Sequence, residues 1–192
     1  MRQFSIFLKG TLILTAAGLL SRFLGFFYKI FLAQALGAEG MGIYQLIFPV
    51  FSVCHALTTS GMETAISRFT AFAPEKEKNS WLHAGLFLSF LASSAAGLVL
   101  WHQSAFIAEY LLHETRCEPL LRILAVSVPL SSVHSCFAGA WLGRKKTGIP
   151  ASAQLLEQTV RIGTVWLLCS IRLQQGKTIT PALAVSGLLA GE

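Results

Sequence analysis

A succession of apolar runs, several of them long enough to cross a lipid bilayer, sets the tightest limit on how this chain can fold. They occupy residues 11–20, 43–57, 81–101, 123–142, 149–171 and 179–190. An α-helix needs roughly 20 predominantly apolar residues to cross the ~30 Å hydrocarbon core. Hydrophobic residues make up 54% of the chain and charged residues 12%, with a mean hydropathy of +0.62. Soluble domains are about a quarter charged, so this composition cannot supply a water-facing surface. The expected fold class is all-α: a polytopic bundle of transmembrane helices.

Joined across their interruptions, the runs predict spans at 11–36, 43–62, 81–101, 120–142 and 149–171, with an incomplete sixth at 179–192. Together they form a single transmembrane domain over 1–192. The first span contains Arg22 and Lys29, and the glycine-rich GAEGMG turn follows it. Ile66, Phe69 and Ala73 recur at helical spacing after the second span and predict a helix on the membrane surface. Trp81 and Trp101 bracket the third span, as expected of interfacial aromatics. The last apolar segment reaches only about 18 Å at 1.5 Å per residue, so the chain reads as part of a longer bundle. The basic start followed by TLILTAAGLL has the outline of a signal peptide. The apolar pattern, however, runs past Arg22 to Leu36 without a small-x-small cleavage site.

Orientation follows from the basic residues in the loops. With the N-terminus inside, the inner segments hold Arg2, Lys9, Arg68, Lys76, Lys78, Arg144, Lys145 and Lys146, and the outer ones only Arg116, Arg172 and Lys177. That bias predicts a cytoplasmic N-terminus in a cell membrane. It also accounts for most of the net charge of +6, so no nucleic-acid partner is expected. The cysteines and histidines form no CxxC, HxxxH or HExxH pattern. No metal, cofactor or enzymatic active site is expected.

Polar residues inside the spans are the candidate functional residues, because an Arg or Lys at a helix centre costs about 2.5–3.5 kcal/mol to insert. Gly18, Arg22, Gly25 and Lys29 fall on one helical stripe, with Arg22 near mid-span. Gln45 belongs to a polar face of the second span. Gly85, Ser89, Ser93 and Gly97 form a small-xxx-small seam that predicts tight helix packing. His134 reads as a packed histidine, since the sequence shows it no acidic partner. In the fifth span Glu157 and Arg161 stand four apart, acid first, the favoured order for a same-helix ion pair. Gln154 and Gln158 extend their face. Two roles stay open for the pair: contact with cargo, or a latch within the bundle.

The segment from Lys9 to Val50, with its SRFLGF core, resembles the N-terminus of the stage V sporulation protein B-like branch of the polysaccharide transporters. So does GRKKTGIPASAQLLEQTVRI, which carries an SQxxEQxxR-like run at Ser152, Gln154, Glu157, Gln158 and Arg161. That branch belongs to the multidrug/oligosaccharidyl-lipid/polysaccharide flippase superfamily. The resemblance implies a full-length transporter of twelve to fourteen helices, in two bundles around a cavity that opens alternately to each side. Its cargo would be a polyprenyl-pyrophosphate-linked sugar, and its partners the membrane lipids and a C-terminal half. Arg22, Lys29, Gln45, Gln154, Glu157, Gln158 and Arg161 become candidate cavity residues. Related lipid II flippases carry an SRxLGFxRD-like motif; here Tyr28 and Lys29 replace its last cation and acid, leaving the cargo open. A cation-coupled multidrug exporter of the same superfamily and a non-transporting membrane fragment are the alternatives.

Overall fold

The computed structural model describes residues 2–175 and 179–192, with side chains described from Leu8 onward. Lys177 and the side chain of Arg2, both used in the orientation argument, lie outside the described residues. Among the described residues every regular element is helical. The first, α1 (Arg2–Leu46), breaks at Gly37, whose φ of 70° and ψ of 177° suit glycine alone. The chain folds back there. Tyr28 and Leu32 before the break share one buried cluster with Ile43, Tyr44 and Ile47 after it. On a straight helix Tyr28 and Tyr44 would stand about 24 Å apart.

The rod continues through α2 (Phe48–His55), a π segment (Ala56–Ser60) and α3 (Gly61–Phe72). The helix expected after residue 62 is α3, which runs on from the π segment without a loop. Ile66 and Thr70 of α3 are buried, packed against α6 (Glu118–Gly143) and α4 (Lys78–His102). The reason lies in two glycines of α6. A Cβ on Gly139 would stand 2.5 Å from the Glu63 carbonyl oxygen, and one on Gly143 2.5 Å from that of Ser67. Backbone approach that close excludes any larger residue.

Between α4 and α6 the connector holds a one-turn helix α5 (Ser104–Phe106), a π turn (Ile107–Leu111) and a 3-10 turn (Thr115–Cys117). The small-residue seam of α4 behaves as its spacing predicts. Gly85, Ser89, Ser93 and Gly97 are all buried, and Ser93 Oγ lies 2.8 Å from Ser132 Oγ of α6. Pro129 sits inside α6 and leaves the Ala125 carbonyl without its helical donor. A Cβ on Gly97 would stand 2.6 Å from that oxygen, so α4 closes on α6 where the proline has freed an acceptor.

Two further helices complete the bundle, α7 (Gly148–Gln174) and α8 (Pro181–Gly191). Both pack on α1 and on each other. Three helical stretches among the described residues are long and apolar enough to cross a membrane: Leu8–Phe72, Lys78–His102 and Thr115–Gly143. α7 has the length, but Gln154, Glu157, Gln158 and Arg161 interrupt its apolar character. Phe23, Phe26, Phe27, Phe87, Leu91 and Leu98 point outward, a surface that only lipid or protein can cover. Aromatics sit at both ends of the bundle. Phe69 stacks on Trp81 at 4.8 Å, while the Arg122 guanidinium lies 5.9 Å from the Trp101 ring.

Candidate functional site

Thr147 precedes α7, and Pro150 sits in its first turn, where a missing N–H costs little. Two turns on, Arg161 Nη2 donates to Glu157 Oε1 at 2.8 Å. The side chains are only 20% and 18% exposed. From α6, His134 brings Nδ1 to 3.8 Å of the other carboxylate oxygen, Oε2. That is ion-pair range and beyond hydrogen-bond reach. One carboxylate thus faces a guanidinium on its own helix and an imidazole on the neighbouring one. Among the described residues Arg161 Nε is buried with no acceptor, as is the hydroxyl of Ser21 on α1. His55 of α2 and Glu192 lie within electrostatic reach of Glu157.

The other candidates fall differently. A Cβ on Gly25 would stand 3.2 Å from Gln158 Nε2, so the amide of α7 lies over the glycine of α1. Arg22 and Lys29 flank that contact and are exposed, and neither makes an ion pair among the described residues. Gln45 and Gln154 are exposed as well. The bundle interior therefore gathers Glu157, Gln158 and Arg161, and leaves Arg22, Lys29, Gln45 and Gln154 on its surface. His134 has an acidic partner after all. The sequence could not show it, because the pairing depends on the register of α6 against α7.

Between those two helices runs a groove of about 370 Å³, lined among others by His134, Phe137, Trp141, Ala153 and Glu192. At its mouth the Trp141 ring lies 5.2 Å from the Arg144 guanidinium and 5.3 Å from Lys146 Nζ. The opposite end of the bundle carries a second charged cluster. Arg116 Nη1 donates to Glu39 Oε1 at 2.6 Å, and its Nε and Nη2 donate to the two oxygens of Glu114 at 2.8 and 3.0 Å. This fork ties the turn after Gly37 to the α4–α6 connector, and it holds the Glu114 carboxyl below the usual carboxylate range. Among the described residues no group of three or more His, Cys, Asp or Glu is placed to hold a metal ion.

Apolar helices of membrane-crossing length, packed around a partly buried carboxylate, guanidinium and imidazole, define an α-helical integral membrane protein. The chain belongs to the polysaccharide biosynthesis protein family, whose pattern matches residues 7–191. It is 35% identical over 191 residues to stage V sporulation protein B of Bacillus subtilis, covering 97% of this chain and 37% of that protein. The uncharacterized membrane protein YabM of the same organism is 26% identical, covering 95% of this chain and 35% of YabM. Its lipid II flippase MurJ is 25% identical, covering 81% of this chain and 31% of MurJ. The chain thus spans about a third of the length of these relatives. No solved structure matches it. The resemblance read from the sequence stands.

Proposed function

We propose that this chain is the N-terminal bundle of a flippase that carries a lipid-linked oligosaccharide or polysaccharide precursor across the cytoplasmic membrane. In this reading it forms five full spans and a shorter sixth that alternate in direction, with the N-terminus and the Trp141 end cytoplasmic. A second bundle supplied by the rest of a longer protein would close a cavity against it. Rocking of one bundle on the other would expose that cavity to each side in turn. No bond is made or broken.

The carrying observation is the pair of cations on α1. Arg22 and Lys29 sit within an apolar stretch, exposed and without an ion pair among the described residues. A charge at that depth needs a wet cavity or a facing protein surface. Arginine suits the pyrophosphate of a lipid-linked sugar, which it can clasp through two parallel hydrogen bonds. The same observation ranks the multidrug exporter second, since an excess of cations over acids within the spans favours an anionic cargo. In the full-length protein, Arg22→Ala should abolish translocation of labelled lipid-linked precursor in vesicles while membrane insertion stays normal. Undiminished flipping by that variant would remove the cavity role of α1.

A further inference from the structure

We propose that His134 and Glu157 form a proton-binding site, reached through the groove between α6 and α7, whose occupancy decides how tightly Glu157 holds Arg161. The geometry divides the carboxylate between two claimants. Oε1 accepts from Arg161 at 2.8 Å, while Oε2 faces His134 Nδ1 at 3.8 Å. A neutral imidazole with its lone pair on Nδ1 offers Oε2 nothing. A proton delivered from water to that lone pair turns Nδ1 into a cationic donor aimed at the same carboxylate. No other bond changes, and the charge of the three groups rises from zero to +1. Glu157 then answers two cations, and its grip on Arg161 weakens.

Two further observations support this assignment. His134 is 28% exposed and lines the groove together with Trp141 and Glu192. On the far side of the pair, Arg161 Nε is buried without an acceptor. It is a donor in place for an anion once the guanidinium is released. The surrounding charged and titratable groups come from every packed element: Tyr28 and Tyr44 of α1 near Arg161, His55 of α2 with Glu63 of α3 beyond it, and Glu192 after α8. Glu192 lines the same groove as His134. The proton site rests on the geometry of the three side chains. Its use in loading or unloading an anionic cargo rests on the flippase reading.

The test is NMR of the 192-residue chain in lipid nanodiscs, with ¹⁵N-histidine and ¹³C-glutamate labels, from about pH 5 to about pH 9. The His134 signals are assigned by their loss in His134→Gln. The expected result is protonation of His134 at Nδ1 within that range, with the Glu157 carboxyl carbon moving at the same midpoint. Glu157→Gln should change the His134 titration, because the carboxylate faces the ring at 3.8 Å. A His134 that stays in one state throughout, or titrates identically in Glu157→Gln, would overturn the proposal. Should Glu157→Gln fail to fold, coincidence of the two wild-type titrations decides alone: separate midpoints overturn the site. A coincident pair in a full-length protein that moves no lipid-linked precursor would keep the proton site and remove only the cargo reading.

Discussion

Removing one member of the Glu157–Arg161 pair strands a charge inside the bundle, and the size of the penalty reports how dry the pair is. Two unit charges about 4 Å apart attract by about 4 kcal/mol at an effective dielectric constant of 20, and by about 1 kcal/mol in water. A water-exposed i,i+4 pair on a helix contributes only ~0.3–0.5 kcal/mol. Here the side chains are 20% and 18% exposed, and the N···O distance is 2.8 Å. The dry regime applies. Glu157→Gln and Arg161→Gln should each destabilise the bundle by about 3 kcal/mol, at the lower end of what a broken buried pair costs. The double variant should lose far less than the sum, with a coupling energy of about 2–3 kcal/mol. Reversible unfolding in mixed detergent micelles, followed by circular dichroism, gives the four stabilities. A coupling at or below ~0.5 kcal/mol would mean the pair sits in water, and the reasoning about a buried polar site would fail with it.

Two further predictions test the scaffold. Gly139→Ala should destabilise by about 1–3 kcal/mol through overpacking against the Glu63 carbonyl. Gly18→Ala, which meets nothing within 4 Å, should be neutral or stabilise by up to ~1 kcal/mol through helix propensity. Equal effects in the same unfolding assay would contradict the close α3–α6 approach. At the opposite end, Arg116→Gln should lower the thermal midpoint at neutral pH and leave it unchanged in strong acid. Arg116 depresses the Glu114 carboxyl, so its stabilisation is present above the ordinary Glu value of about 4.3 and disappears as pH falls through the folded value. A midpoint difference that persists at low pH would refute that linkage.

Local features of the sequence foretold local features of the structure. The α4 seam announced itself because Gly85, Ser89, Ser93 and Gly97 repeat every fourth residue, and α-helical geometry alone puts them on one side. Glu157 and Arg161 could be paired for the same reason. The His134–Glu157 approach could not, since it joins two helices whose relative register is set by packing elsewhere. Burial of α3 was hidden in a similar way. The spacing of Ile66, Phe69 and Ala73 predicts one apolar face and no partner for it, while the glycines that admit the helix belong to α6. Nor did helical spacing say which way Arg22 and Lys29 would point. They share a stripe with Gly25, which lies under Gln158 of α7, while both cations are exposed.

The π segment at Ala56–Ser60 makes chain length negotiable at one place in the bundle. An α-helix turns about 100° per residue, so one surplus residue swings everything beyond it by nearly a third of a turn. On an unbroken α-helix, Cys54, which packs on the core below the segment, and Ile66, buried above it, would look about 120° apart. Absorbing a single residue brings them to within about 20°. Thr58 Oγ1 donates to the Cys54 carbonyl inside the widened turn, an added bond where the helical ladder is loosened. The segment therefore behaves as a stored insertion. Deleting one residue from it should let the rod relax to regular helix with both buried faces still in place, whereas the same deletion in α6 would turn the Gly139 side away from α3.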